Sequence, residues 1–167
     1  MDYPTYSIGI DPDTKATGIA MIGPSGVEMV ALARAKGRYA VDRLPEMAQS
    51  IDEALAPMMA YLGDKNVAIE LMHIRPHERN PNSIINVQAV AGMAIASARL
   101  RLASSIVTPI PSKWKGTVPK EIHQKRILAG EGLTIDDPIF EGIPKSMRTH
   151  VVDGIGLARW VSQKGTA

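Results

Sequence analysis

Three carboxylic acids occupy positions in this sequence that folding alone explains poorly. Asp11 ends the stretch SIGID, Glu70 follows the apolar stretch VAI, and Asp153 lies in HVVDGIGLA three residues after His150. Carboxylate oxygens are the ligands that Mg²⁺ prefers, and two such ions can hold both oxygens of an in-line displacement at phosphorus. If the fold gathers these side chains, they predict metal-dependent phosphodiester hydrolysis.

Each of these residues also has an ordinary structural interpretation. An aspartate before a proline can cap a turn, and we expect Asp11 to be exposed there at the end of the sheet. Glu70 can form a buried ion pair, because an unpaired carboxylate is costly to desolvate. His150 and Asp153, one helical turn apart, can form a local hydrogen-bonded pair. The metal hypothesis depends on three acids on three elements, two of them in apolar surroundings.

The surrounding pattern predicts a mixed α/β sheet that positions these acids. Alternating apolar residues and turn residues predict strands at 7–11, 18–22, 27–32, 67–71 and 105–109. Apolar residues at three- and four-residue steps predict helices at 44–62 and from Asn82 or Ser83 to Leu102, and the segments 120–129 and 147–163 are interpreted as two more helices. Pro57 lacks a backbone N–H, so we expect a kink or a break in the first helix. Glycines at 154 and 156 weaken the last helix unless another backbone approaches closely there.

Length and composition narrow the classes of protein. With 167 residues, of which 45% are apolar, the chain predicts a single domain over 1–167. The absence of cysteine excludes disulfides, thiolate metal sites and a cysteine nucleophile. The N-terminus lacks a signal-peptide pattern, and we expect no run near the roughly 18 apolar residues of a membrane span. These features predict a cytoplasmic protein.

Two further segments suggest partners. From Ser104 to Arg126 there are five basic residues against one acidic residue, which suits a polyanion or, equally, an ordinary solvated helix face. The middle of the long helix, AVAGMAIASA, is rich in small residues. Small side chains allow close approach, which indicates either dense packing on the sheet or a dimer contact.

Five fragments, in this order, resemble the RuvC-type Holliday junction resolvases, particularly their compact viral and phage members. The fragments are SIGIDPDTKATGIAMI, VAIELM, NSIINVQAVAGMAIASA, TPIPSKWKG with PKEIHQKRI, and HVVDGIGLA. The resemblance implies an RNase H-like fold with a five-stranded mixed sheet and helices on both faces. It also implies two Mg²⁺ ions per active site, with Mn²⁺ as a substitute. A homodimer, paired cuts across a four-way DNA junction and a bacterial or phage-infected host cell are implied as well.

The same resemblance assigns roles to individual residues. Asp11 and Glu70 match the first- and fourth-strand metal ligands, and His150 and Asp153 fall where the family has its last two active-site residues. The sequence leaves open whether His150 binds metal as neutral imidazole or offsets phosphate charge when protonated. The resemblance implies DNA contacts from these residues: Lys113, Lys115, Lys120, Arg75 and His73.

Two departures from the family pattern limit which of the family's properties can be expected of this chain. Asp13 replaces a glycine of the first motif, and it is either a turn residue or a fourth acid; we favour the turn. Some members carry an aromatic wedge after the fourth-strand glutamate, whereas this chain has His73 and His77 there. Junction handling and cleavage-sequence preference are therefore not predicted.

Three other functions are alternatives. A nuclease of the same fold can act on flaps, forks or other branched DNA. GIDPDTKATG also resembles the first phosphate loop of sugar kinases and actin-like ATPases, although those proteins use two related domains around the nucleotide. The third alternative is a DNA-binding module without catalysis.

Overall fold

The computed structural model of the protein describes residues 3–72 and 81–164. The expectations for His73, Arg75 and His77 lie outside the described residues.

One five-stranded mixed sheet organises the chain, as predicted. Its strands are β1 (Thr5–Asp11), β2 (Ala16–Gly23), β3 (Gly26–Arg34), β4 (Asp64–Ile69) and β5 (Ser105–Val107). They lie in the order β3-β2-β1-β4-β5. The first three strands pair antiparallel, whereas β4 runs parallel to both β1 and β5. The carboxyl ends of β1 and β4 therefore meet at the same edge of the sheet.

In the part of the chain that the structure describes, five helices accompany the strands. They are α1 (Ala40–Met59), α2 (Pro81–Leu100), α3 (Pro111–Trp114), α4 (Lys120–Gly130) and α5 (Arg148–Lys164), with short 3₁₀ turns at Pro138–Phe140 and Lys145–Met147. The single turn α3 was not predicted, because four residues are too few to show helical periodicity.

Helices cover both faces of the sheet, which confirms the predicted layers. Ile8 and Ile10 of β1 and Val67 and Ile69 of β4 share a core with residues of α1 and α2. Successive residues of a strand point to opposite faces, so the alternate positions of both strands face α5. Ala68 accordingly packs with Leu157 and Val161 of α5.

Glycines let α5 lie directly against the sheet backbone. A Cβ added at Gly9 would lie 2.0 Å from the carbonyl oxygen of Gly154, and one at Gly18 would lie 2.0 Å from that of His150. A Cβ at Gly154 would lie 3.2 Å from the carbonyl oxygens of Gly9 and Gly18. The close backbone approach that the glycines of the last helix suggested is therefore present at Gly154.

Two local expectations differ from the structure. The break that was one of the two outcomes expected at Pro57 does not occur, because α1 continues to Met59, and a kink there stays a prediction. Pro57 stands so near the end of the helix that its missing N–H removes a hydrogen bond only from the last turns. Asn82 and Ser83 lie inside α2 rather than before it, because the helix begins at Pro81, a residue suited to the first helical position.

The helix α2 is more apolar than we expected. By length and composition alone, its segment Asn82–Leu100 is sufficient to cross a membrane, although it contains no unbroken run of about 18 apolar residues. Polar residues such as Asn86, Gln88 and Ser97 interrupt the apolar run without greatly lowering its average. The core helix of a folded domain passes the same test, and α2 contributes Val90 and Ala94 to the core. Only 33% of the segment is buried, however, so much of its apolar surface faces outward.

Candidate active site

The site begins at the carboxyl ends of β1 and β4. Ile10 pairs with Ile69, and the N–H of Glu70 donates to the carbonyl oxygen of Ile10 at 3.1 Å. Asp11 and Glu70 are thus neighbours across two parallel strands. By strand alternation, both are in phase with Gly9 and Ala68, which face α5. His150 lies in the first turn of α5, and Asp153 follows one turn later.

These four residues line a single cavity of about 430 Å³. The structure therefore brings together all four residues that the sequence predicted for the site. Among the described residues, the lining consists of Asp11, Pro12, Asp13, Glu70, Met72, Val87, Pro111, Lys115, Lys120, His150 and Asp153.

Asp11 is buried, which corrects the expectation that it would be exposed. Its side chain contacts α5: His150 Nδ1 lies 3.2 Å from Asp11 Oδ2, and the residue is 8% exposed. Burial raises the pKa of Asp11, and the hydrogen bond with His150 opposes that shift, while the nearby charge of Asp153 adds to it. The hydrogen bond to Asp11 in turn raises the pKa of His150. His150 therefore contacts Asp11 across the fold.

Glu70 is held by two donors on one oxygen. Trp114 Nε1 donates to Glu70 Oε2 at 2.6 Å, and Lys115 Nζ lies 3.2 Å from the same oxygen. Burial raises the pKa of Glu70, and the like charge of Asp11 adds to the rise. The ion-pair interpretation of Glu70 thus describes this structure, although the pair lies inside a cavity that is also lined by Asp11, Asp13 and Asp153.

Asp153 is the most enclosed of the acids, with 1% of the residue exposed. Gln124 Nε2 donates to its Oδ1 at 2.9 Å, and Lys120 Nζ lies 3.0 Å from its Oδ2. Burial disfavours the charge of Lys120, but attraction to Asp153 and the other two acids outweighs it and raises the pKa of Lys120. Each acid thus has an orienting partner from another element.

The basic segment divides into two parts. Lys115 and Lys120, expected to contact DNA, place their ammonium groups on Glu70 and Asp153, whereas Lys113 is exposed outside the cavity. Trp114 and Gln124 were not anticipated as site residues. Trp114 ends the short helix α3, and Gln124 is one polar residue of α4. Apart from their position in the basic segment, nothing in the sequence indicated that either residue contacts the acids.

Asp13 is a turn residue, the interpretation that we favoured. Its Oδ1 accepts from the N–H of Lys15 at 2.8 Å, and its own N–H donates to Thr17 Oγ1 at 3.2 Å. These bonds close the turn between β1 and β2. The side chain nevertheless lines the rim of the acidic cavity.

The carboxylate oxygens of Asp11, Glu70 and Asp153 suit a hard divalent cation, although the side chains are not positioned as they would be around a bound metal ion. Within residues 3–72 and 81–164, no three His, Asp or Glu side chains form a ready ligand cluster. The described residues make no hydrogen bond to Asp11 Oδ1 or Glu70 Oε1, which leaves one oxygen of each acid for a cation. Two lysine ammonium groups already supply positive charge beside the acids. Cation binding therefore requires Lys115 and Lys120 to withdraw from the carboxylates or to share them.

Trp114→Phe tests whether the indole orients Glu70. Removing the 2.6 Å donor frees the carboxylate to rotate, and loss of such a supporting contact weakens metal binding by roughly 10- to 100-fold. The measurement is Mn²⁺ affinity by isothermal titration calorimetry. Trp160→Phe is the matched control, because Trp160 lies under Lys164 and not at Glu70. Equal affinities in the two variants would rule out this role for Trp114.

Comparisons with known proteins identify the family and the fold of the chain. The family model described as crossover junction endodeoxyribonuclease RuvC matches residues 7–121, more than half of the chain. No curated protein matches the sequence. Among solved structures, T. thermophilus RuvC in complex with a Holliday junction substrate has a TM-score of 0.70 at 17% identity, covering 98% of both chains.

Two more structures share the fold. A second Thermus thermophilus RuvC structure has a TM-score of 0.66 at 18% identity and covers 97% of this chain and 98% of that one. The yeast mitochondrial Holliday junction resolvase Ydc2 has a TM-score of 0.54 at 10% identity, covering 95% and 81%. At such identities these likenesses concern the fold alone, and they confirm the expected RNase H-like architecture.

Proposed function

This chain belongs to the RuvC family of crossover junction endodeoxyribonucleases, and from this we propose that it resolves four-way DNA junctions by Mg²⁺-dependent hydrolysis. The family's nucleases depend on divalent metal ions. The further steps of the proposal are the identity of the metal as Mg²⁺, two ions per site and a homodimer. Cytoplasmic action in a bacterium or a phage-infected cell also belongs to the proposal.

One observation carries the assignment of the active site to this cavity. The acids Asp11, Glu70 and Asp153 come from three separate elements, yet they line one cavity, each with a fixed partner. Burying three like charges so close together is costly, and in this structure Lys115, Lys120 and His150 offset that cost. A divalent cation that carries a phosphate group can take over this role when substrate binds.

The chain's own residues divide the chemical work. Asp11, Glu70 and Asp153 would hold the metal, which when bound lowers the pKa of a water and stabilises charge on the leaving oxygen. Hydrogen bonds from His150, Trp114 and Gln124 orient the carboxylates of Asp11, Glu70 and Asp153, respectively.

The two lysines of the cavity have a second task. Lys115 and Lys120 neutralise Glu70 and Asp153 before substrate arrives. Once those carboxylates carry the cation, the ammonium groups are free to contact the phosphates of the junction. The DNA-binding role expected for Lys115 and Lys120 then follows from their position, and exposed Lys113 extends the same basic surface.

The outward face of α2 supports the homodimer. Its apolar and small residues follow steps of three and four, which places them on one side of the helix: Ile85, Ala89, Gly92, Ala96 and Leu100. Ile85 is 50% exposed and Leu100 83%. An exposed apolar stripe of this length marks an interaction surface. A two-fold dimer places the same stripe on both chains and provides two active sites for two strands.

Ala96→Glu will convert the dimer to a monomer. Ala96 lies exposed in the middle of the stripe, and two glutamates facing each other across a two-fold axis would be buried without partners. Size-exclusion chromatography with light scattering gives the mass. Ala129→Glu, an exposed alanine on α4, is the control and will stay dimeric. A monomeric unmodified chain at micromolar concentration, with and without junction DNA, would contradict the proposal.

A panel of labelled substrates tests the proposed function. Four-way junctions, flaps, duplex DNA and RNA–DNA hybrid are incubated with the protein in Mg²⁺, Mn²⁺ or EDTA, and the cuts are mapped. We expect paired symmetric cuts in the junction with either metal and none in EDTA. Cutting of flaps at the same rate as four-way junctions would support the alternative of a nuclease for branched DNA in general. Preferential cutting of the RNA strand in the hybrid, or ATP turnover without nuclease activity, would contradict the proposal.

A further inference from the structure

A second cavity adjoins the acidic one and has a different chemistry. Its volume is about 310 Å³, and its lining is wholly polar or charged: Thr14, Arg43, Asn82, Ser83 and Asn86. Two pairs of consecutive residues connect it with the active-site cavity. Thr14 follows Asp13, and Asn86 precedes Val87, and both Asp13 and Val87 line the acidic cavity. A strand of substrate at the acids would therefore pass close to this second cavity.

Among the described residues of that lining, Arg43 is the one that carries a charge, and its side chain is held in place. Its Nη1 donates to the carbonyl oxygens of Gly37 at 3.0 Å and Arg38 at 2.7 Å. Its Nε is shielded from solvent and has no hydrogen-bond partner among the described residues. Because Nη1 is already bonded and Nε is closed to solvent, a ligand would reach the guanidinium through Nη2, to which the described residues make no hydrogen bond.

The nearest acids along α1 do not neutralise Arg43. Asp42 Oδ2 accepts from the N–H of Tyr39, and Glu46 Oε2 accepts from the N–H groups of Lys36 and Gly37. Within residues 3–72 and 81–164, Arg43 forms no ion pair with a carboxylate. The guanidinium charge is therefore available to an anion.

The lining favours a phosphate group over a base. Its described residues include no aromatic side chain to stack a base, whereas the guanidinium, the amides of Asn82 and Asn86 and the Thr14 hydroxyl all can donate to phosphate oxygens. Such contacts position a strand without reading its sequence.

We propose that Arg43, with Asn86 and Thr14, forms a subsite for a backbone phosphate adjacent to the one that is cut. The subsite fixes the register of the cleaved strand over the acids. This inference rests on the proposed junction-cleaving function and names a contact that the function alone does not require.

The test measures binding of a labelled four-way junction across a salt series in Ca²⁺. Arg43→Gln is expected to weaken binding by roughly tenfold and to reduce the slope of log affinity against log salt by about one, the value for one lost phosphate contact. Arg43→Lys retains the charge and is expected to keep the slope. Lys164→Gln removes one positive charge at the far end of α5 and is expected to change neither quantity.

A second variant separates phosphate binding from loop anchoring, because Arg43 also holds Gly37 and Arg38. Asn86→Ala leaves those bonds intact and is expected to weaken junction binding severalfold without lowering the melting temperature. If Arg43→Gln fails to fold, Asn86→Ala with Arg43→Lys decides the question. Unchanged affinity and slope in Asn86→Ala, or in folded Arg43→Gln, would overturn the subsite. Failure of the unmodified protein to bind branched DNA would instead overturn the proposed function.

Discussion

Asp11→Asn will lower the rate of junction cleavage by at least about a thousandfold, because it removes a charged ligand from the centre of the proposed metal site. Junction binding will change little, since Asn keeps the size of Asp and the lysines are untouched. Cleavage is measured under single-turnover conditions in Mg²⁺, and binding is measured in Ca²⁺. Asp64→Asn, at the opposite end of β4 from Glu70, is the matched control and will cleave normally.

The same substitution will raise stability when metal is absent. Burial raises the pKa of Asp11 above its ordinary value, so the folded protein is most stable with this group protonated and loses stability as pH rises through the shifted pKa. Asparagine mimics the protonated acid at all pH values. In EDTA at neutral pH, the melting temperature of Asp11→Asn will exceed that of the unmodified protein, and the difference will vanish below the ordinary aspartate pKa of about 4.

The cleavage experiment has a contradicting outcome of its own. If Asp11→Asn cleaves junctions at the normal rate, the active site lies elsewhere.

Gly18→Ala will destabilise the fold by about 2–3 kcal/mol or more, because overpacking at a backbone contact cannot be relieved by a rotamer change. The added Cβ would lie 2.0 Å from the carbonyl oxygen of His150 and 2.5 Å from the N of Val151. The first turn of α5 must therefore move away from β2. Since that turn carries His150, the population that stays folded will also cleave more slowly.

Denaturant unfolding measures the loss of stability, with Gly130→Ala as the control. A Cβ at Gly130 meets nothing within 4 Å at the end of α4, so alanine there will be neutral or stabilising by up to about 1 kcal/mol. If Gly18→Ala unfolds at the same denaturant concentration as Gly130→Ala, α5 does not lie against the sheet as described.

The convergence of the acids was predictable because strand geometry determines it. Asp11 and Glu70 each end a strand, and parallel strands bring such ends to one edge of a sheet. His150 and Asp153 share a helix face by their spacing. The burial of Asp11 was not predictable, since it depends on α5, whose position over β1 follows from the tertiary contacts of Gly9 and Gly154.

The side chains that contact the acids could not be predicted from the sequence for a different reason. Trp114 and Lys115 lie at the end of the short helix α3, and Lys120 and Gln124 belong to a helix in which apolar periodicity is weak. Charge count identified the segment as basic, but periodicity could not say which side chains turn inward. The resemblance predicted contacts to DNA, whereas the described structure places two of these lysines on the acids.

The small residues of α2 bear on both interpretations that the sequence left open. Ala91, Ala94 and Ala98 pack in the core, which confirms the dense packing that we considered first. Gly92 and Ala96 face outward, and the dimer contact stays a prediction. Small residues occur on every side of this helix, so its apolar steps predicted a helix but did not separate a core face from a contact face.

The most direct test of the metal site is anomalous scattering from crystals of the protein soaked in Mn²⁺. We predict at least one peak in the cavity, about 2.0–2.2 Å from oxygens of Asp11 and Glu70, with Lys115 drawn away from Glu70. Asp11→Asn crystals under the same conditions will show a weaker peak or none. Mn²⁺ bound only outside this cavity, in crystals of a protein that cleaves junctions in Mn²⁺, would contradict the account.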